Sequence, residues 1–135
     1  MLRGEYIAHI NERNEIQTIK EHSEKTAELC REFAISEFKN LMYNIGLLHD
    51  IGKYQYSFQK RINGSNIKIE HSICGAMEVE KIYKVPANSK LIQYCIAGHH
   101  SGIPDGGFLN DTYDLSTLYG RLKRKTEDYS EYKKD

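Results

Sequence analysis

The 135-residue sequence has no tryptophan and only two prolines, and its three cysteines show no C-x-x-C spacing. An odd number of unclustered cysteines argues against a disulfide framework or a cysteine-based zinc module, so we expect reduced thiols buried in helices. Lysine plus arginine equal aspartate plus glutamate at 19 each, which makes the formal net charge zero. That balance argues against a polybasic protein that holds duplex DNA by charge alone.

Long hydrophobic runs are also absent. No apolar stretch approaches the ~20 residues of a membrane-spanning helix, and residues 1–4 do not open a signal peptide. The hydrophobic content of 39% and the mean hydropathy of -0.65 are typical of one globular domain with a modest core. We therefore expect a cytoplasmic protein with no membrane contact.

Apolar residues recur at helical spacing in several short segments, which predicts an all-α bundle of short helices with a small N-terminal β-hairpin. The sequence predicts these elements in order: strands over 5–10 and 16–19, a helix over 19–34, a second helix from 36 or 40 to 52 or 58, a third over 71–84 stopped by Val85-Pro86, a fourth from 88 or 89 to 98, and a short helix over 115–122. The predicted inward faces are Thr26, Leu29, Cys30 and Phe33 on the first helix, and Leu91, Ile92, Cys95 and Ile96 on the fourth.

The domain prediction follows from the change in composition near the end of the chain. Residues 1–120 are expected to form one domain, whereas residues 121–135 are almost wholly charged or tyrosine and are interpreted as a solvated charged tail.

The histidines carry the strongest chemical signal. His22, His49, His71 and His99 each lie within or at the end of a different predicted helix, and Asp50 and His100 follow two of them directly. Burying so many imidazoles without a cation leaves many polar atoms to satisfy. A metal ion resolves that cost, and so many imidazoles favour Mn, Fe, Co, Ni or Zn over an all-oxygen Mg²⁺ site.

Residues 46–53 (GLLHDIGK) form the most specific motif. Its apolar positions anchor His49 and Asp50 in the core, and Gly46 and Gly52 permit close helix approach or a kink. Lys53 follows Asp50 by three residues and shares its face of a helix. A lysine there suits a substrate phosphate oxygen, and a solvated lysine is the alternative.

His22 followed by the LLHDIGK run resembles the HD metal-dependent phosphohydrolase superfamily. The later Glu70-His71-Ser72 and the doublet in residues 97–104 (AGHHSGIP) make the order similar to the HD nuclease domain of the type I CRISPR-associated nuclease-helicase. The opening Tyr6-Ile7-Ala8-His9 is also similar to that family's start. The resemblance covers about residues 5–108.

That resemblance implies two neighbouring metal sites that share Asp50. One site takes His22, His49 and Asp50, and the other takes Asp50, His71, His99 and His100. Catalysis is then assigned to Asp50 and Lys53, with Lys53 facing the substrate phosphate. The implied activity is cleavage of single-stranded DNA in antiviral defence, with a helicase and an RNA-guided CRISPR surveillance complex as partners.

One departure from the family pattern concerns the first site. Members of the superfamily close it with an aspartate on a later helix, and none of the candidates here lies in such a run: Asp105, Asp111, Asp114 and Asp128. We expect the chain to be an N-terminal fragment or a truncated gene product, with weak or single-metal occupancy and poor activity. Such a core is also expected to expose an apolar patch that pairs with a missing segment or a second copy.

Two other functions remain open at this point. One is an HD phosphohydrolase of nucleotides or cyclic dinucleotides, which needs His22, His49 and Asp50 but not the pairing of His71 with His99 and His100. The other is an inactive remnant that binds only metal or a partner protein.

Overall fold

The computed structural model describes residues 5–84 and 86–135 and shows a helical bundle preceded by a two-stranded antiparallel hairpin. Its main elements are β1 Ile7–Ile10, β2 Ile16–Thr18, α1 Ile19–Phe33, α2 Lys39–Leu48, α3 Tyr56–Ile62, α4 Ser72–Ile82, α5 Pro86–Gly98 and α6 Leu118–Arg121. Short 3-10 turns cover Ser36–Phe38, Ile51–Tyr54 and Ser130–Lys134. The predicted all-α bundle with a small hairpin is confirmed. Residues 1–4 and Val85, used above for the signal-peptide and helix-stop predictions, lie outside the described residues.

The hairpin leads directly into α1 through a capping box. Thr18 Oγ1 accepts a hydrogen bond from the Glu21 backbone N–H at 3.2 Å, and the Glu21 carboxylate accepts one from the Thr18 N–H at 3.2 Å. This reciprocal pair satisfies two backbone donors that a helix start otherwise leaves unpaired. The change from strand to helix therefore occurs within one residue.

The predicted inward face of α1 is wrong. Leu29 is 52% exposed and Phe33 is 81% exposed, whereas Ala27 is fully buried. The reason is the close approach of α2, because a Cβ at Gly46 would lie only 2.4 Å from the Ala27 Cα. Helices that approach so closely meet through small residues, so the large apolar side chains of α1 lie elsewhere.

The main core lies between α2, α4 and α5. Its buried members include Ile45, Leu48, Ile73, Val79, Ile92, Ile96 and Leu118. On α5 the prediction is half right, because Leu91 and Cys95 are exposed. Pro86 begins α5, two or three residues before the predicted cap, since proline suits a position whose N–H has no helical partner. Among the cysteines only Cys74 is fully buried.

Part of the segment 121–135, interpreted above as a solvated charged tail, packs against the core. Arg121 is buried, and the rings of Tyr129 and Tyr132 pack against the core. Tyr132 Oη donates to Glu78 Oε1 at 2.7 Å, and Tyr129 Oη donates to the other oxygen at 3.3 Å. Tyrosine combines an apolar ring with a polar tip, so a segment of low hydrophobicity can still cover a core.

Within the two described ranges, no helix combines the length and the apolar character needed to cross a membrane.

Candidate metal centre

The centre forms where α2 ends. His49 follows the last residue of α2, and Asp50 leaves helical geometry with φ -116° and ψ 13° before the 3-10 turn begins. Neighbours on a continuous helix diverge by ~100°, but here the break brings His49 Nε2 within 3.2 Å of Asp50 Oδ2. The second predicted helix is thus divided, and the division allows both side chains to serve one site.

One side of the Asp50 carboxylate, called the Oδ2 lobe, is surrounded by His22 and His49. The His22 Nε2 atom lies 3.1 Å from Asp50 Oδ2 and 3.1 Å from His49 Nε2. His22 is in the first turns of α1, which the capping box holds against the hairpin.

The other side, called the Oδ1 lobe, is surrounded by His71, His99 and His100. Their Nε2 atoms lie 3.4, 3.3 and 3.9 Å from Asp50 Oδ1. His71 immediately precedes α4, and the doublet immediately follows α5. With Asp50, these three side chains form a group whose ligand atoms all lie within 4.8 Å of one another.

The orientation of two rings tests whether this cluster suits a cation. His49 Nδ1 lies 2.7 Å from the Gly46 carbonyl oxygen, and His99 Nδ1 lies 2.6 Å from that of Ile96. A carbonyl only accepts, so each Nδ1 carries a proton, which leaves Nε2, the atom that faces Asp50, as the nitrogen available to a metal ion. Imidazole nitrogens around a carboxylate are donors that bind divalent transition metals, so the donor set fits a metal.

Two glycines set the position of His71. A Cβ at Gly52 would lie 2.0 Å from the His71 carbonyl oxygen, and one at Gly75 would lie 2.2 Å from that of Leu48. The 3-10 turn therefore packs on the backbone of His71, and α4 packs on the backbone of Leu48 at the end of α2; only glycine permits contacts this close. The expectation that Gly52 allows a close approach is thus met by the backbone of His71.

Glu70, next to His71, ties the Oδ1 lobe to the end of the chain. Arg121 Nε donates to Glu70 Oε1 at 2.8 Å, and Arg124 donates to the other carboxylate oxygen. Gln55 Nε2 donates to the Glu70 carbonyl oxygen at 3.2 Å. The backbone before His71 is therefore held from two directions.

Lys53 is buried, with only 3% of its side chain exposed, so it is not a solvated lysine. Its Nζ lies 2.8 Å from Asp50 Oδ2. Its role at a substrate phosphate stays a prediction. The structure shows that the Lys53 ammonium places a positive charge beside Asp50 on the side of the Oδ2 lobe.

His9 was not among the predicted ligands, although its donor atom lies within 4.8 Å of those of His22 and Asp50. It comes from β1, and its ring stands edge-on to that of His22 with centroids 4.6 Å apart. The sequence contained one weak signal: His9 lies in a strand that leads, through a short hairpin, into the helix of His22. Helical periodicity carries no information about such a pairing.

Burial and neighbouring charges shift the pKa values of several groups in the centre. Burial alone raises the pKa of Asp50, but contacts with the surrounding imidazoles outweigh it and hold the pKa well below its usual range. Burial and the adjacent His99 and His71 lower the pKa of His100 to about 4. Burial and the Lys53 ammonium lower that of His9. At neutral pH the centre therefore presents an ionised carboxylate, with His9 and His100 as neutral imidazoles.

The other candidate carboxylates lie elsewhere. Asp111 accepts a hydrogen bond from Thr117 Oγ1, Asp114 is bonded to Thr112, and Asp128 accepts from the Ser130 N–H. Neither these three nor Asp105 belongs to a candidate metal group, and among the described residues Asp50 is the only carboxylate in both groups.

The sequence profile of the HD domain family matches residues 19–134. The chain belongs to the HD domain family. HD domains are typically metal-dependent phosphohydrolases, which agrees with a carboxylate between two sets of imidazoles. The match also includes most of the segment predicted to be a tail. A search of curated proteins found no match.

Proposed function

We propose that this HD domain is a metal-dependent nuclease that cleaves single-stranded DNA phosphodiesters in type I CRISPR interference. The observation that carries the proposal is the Oδ1 lobe, in which His71, His99 and His100 surround an oxygen of the carboxylate that also faces His22 and His49. The alternative hypothesis, a phosphohydrolase of nucleotides or cyclic dinucleotides, needs only the Oδ2 lobe.

Each residue has a defined part in the proposed chemistry. When bound, divalent cations polarise the phosphoryl oxygen, activate water and stabilise the leaving oxygen. Asp50 is shared between the lobes and balances their positive charge. The carbonyls at Gly46 and Ile96 keep Nδ1 of His49 and His99 protonated, which leaves both Nε2 atoms free to bind metal.

The exposure of the two lobes supports entry of substrate from one side. The His100 side chain is 52% exposed, whereas those of His22 and His49 are 21% and 12% exposed. A groove of about 400 Å³ is lined by the loop over 101–104, which follows His100 in the chain, and by Glu70 and Arg124. A single strand at the exposed His100 would have this groove beside it, where Arg124 is partly exposed and pairs with Glu70.

Cleavage of a covalently closed single-stranded DNA circle tests the proposal, because a circle has no ends for an exonuclease. With Mn²⁺, Co²⁺ or Ni²⁺ supplied, we expect linear products from the native chain and none from Asp50→Asn. Much faster hydrolysis of nucleotides or cyclic dinucleotides than of DNA would favour the small-substrate phosphohydrolase. Metal uptake without hydrolysis of either would identify an inactive remnant.

The partners are proposed on the same basis. A helicase that feeds the single strand and an RNA-guided surveillance complex that selects the target are compatible with a nuclease domain of zero net charge. We also propose that the exposed apolar patch formed by Ile35, Phe38 and Leu91 mediates contact with a second copy. Sedimentation of Ile35→Ser beside the native chain checks that contact.

A further inference from the structure

We infer that His9 is a metal ligand of the Oδ2 lobe. The ligand atoms of His9, His22 and Asp50 all lie within 4.8 Å of one another, and His22 in turn lies 3.1 Å from His49. The inference rests on the metal-binding part of the proposed function and on no assumption about the substrate.

The hairpin holds His9 in place through its backbone. Gln59 bonds both polar atoms of the Ile7 backbone, accepting from its N–H at 3.0 Å and donating to its carbonyl oxygen at 3.0 Å. Ala8, the next residue, is buried. His9 therefore follows two residues that are fixed to the body of the protein, and its backbone position is set by the hairpin.

The direction of the ring provides a second, independent observation. Lys53 Nζ lies 3.1 Å from His9 Nε2 and 2.8 Å from Asp50 Oδ2. An ammonium group only donates, so the His9 Nε2 atom is an acceptor whose lone pair points at a positive charge beside Asp50. A divalent cation needs that same lone pair, so its binding to His9 displaces the Lys53 ammonium from the nitrogen.

The number of ligands in each lobe determines how many metal ions we expect the chain to bind. Without His9, the Oδ2 lobe offers two imidazoles and one carboxylate oxygen. His9 adds a third imidazole, which forms a candidate metal group with His22 and Asp50, while His49 contacts the same two residues. Four ligands of this kind suit Zn²⁺, Co²⁺ and related ions. We therefore expect two occupied sites per chain, in place of the single occupancy predicted from the missing later aspartate.

Titration of the full chain with Co²⁺ alone, followed by calorimetry and by the visible spectrum of the bound ion, tests this ligand. The native chain should take up two equivalents. His9→Ala should bind one of them more weakly by at least about 100-fold, the upper end of the loss seen when an outer-shell partner is removed. The matched control is Gln17→Ala, which alters the residue paired with His9 across the hairpin and removes no imidazole. His100→Ala should weaken the other site only.

Amide hydrogen exchange gives a second readout that does not depend on a folded variant. Cobalt should slow exchange over residues 7–18 in the native chain, because its binding ties the hairpin to α1. Unchanged exchange there, or two equally tight sites in both the native chain and His9→Ala, would overturn the inference, as would a native chain that binds one equivalent only. Neither readout uses DNA, so a chain that passes both and cleaves no DNA would refute the nuclease and leave His9 as a ligand.

Discussion

The two lobes around Asp50 use the same kind of ligand but are built differently. The Oδ1 lobe takes His71, His99 and His100 from helix termini, and its outer imidazole is 52% exposed. The Oδ2 lobe takes ligands from the body of α1, the end of α2 and the hairpin, and Lys53 lies buried against it. Both lobes include an exposed imidazole, that of His100 in the Oδ1 lobe and that of His9 in the Oδ2 lobe. The comparison teaches that the lobes differ in the elements that hold them and in the buried ammonium of Lys53, which lies beside the Oδ2 lobe.

Loss of the shared carboxylate should weaken metal binding in both lobes. Asp50→Asn removes the negative charge that both sides use, so both metal sites should weaken and any phosphodiesterase activity should fall by about 1,000-fold or more. Cobalt titration and a cleavage assay measure this, with the loop variant Asp105→Asn as the matched control. If either metal site kept its affinity in Asp50→Asn, the carboxylate would not be shared.

Single imidazole deletions should separate the lobes. His22→Ala should weaken only the Oδ2 site and His71→Ala only the Oδ1 site, each by roughly 100-fold, because each ring contacts a different oxygen of Asp50. Calorimetry with both variants resolves the two events. Equal weakening of both sites by either variant would show one joint site.

The support beneath His71 should matter to one lobe only. Arg121→Met removes a buried guanidinium from Glu70 and Ser72. We expect a loss of about 1.5–3 kcal/mol in the free energy of unfolding, since Glu70 and Ser72 lose a buried charged donor while Arg124 keeps its contact with the other Glu70 oxygen. The Oδ1 site should weaken by about 10-fold while the Oδ2 site does not change.

Urea denaturation and cobalt titration measure these two effects, and Lys125→Met, an exposed change in the same segment, is the control. Equal losses of affinity in both lobes would mean that Arg121 supports the whole fold and not His71 in particular.

The smallest expected effect concerns α4 beyond His71. Burial alone raises the pKa of Glu78, but hydrogen bonds from Lys81 and Tyr132 outweigh it, so the pKa is lowered from 4.5. The unfolded chain therefore binds this proton more readily than the folded one. Stabilisation by Glu78 is complete above pH 4.5 and is lost as the pH falls through the lower folded value.

Glu78→Gln should cost about 1 kcal/mol at neutral pH and should reduce the loss of stability in acid, with the exposed Glu80→Gln as control. Thermal unfolding at several pH values measures both. If the stability of Glu78→Gln depended on pH as that of the native chain does, Glu78 would not contribute to the loss of stability in acid.

Much of the helical framework could be predicted because its signals are local. The apolar periodicity after Ile19 predicts α1 to within a residue of its observed end. Spacing could not show which face of α1 is buried, because that depends on the approach of Gly46 to Ala27. Nor could it show that Tyr129 and Tyr132 cover the core, since their partner Glu78 lies about fifty residues earlier in the chain.

The sequence by itself determined the family and most of the histidines around Asp50, because the HD motif and the later histidines can be recognised from residue types and their order along the chain. Only the tertiary structure decided which oxygen each imidazole faces, that Lys53 is buried, and that His9 joins from a strand. These relations depend on where separate segments pack, and side-chain spacing along one segment does not contain that information.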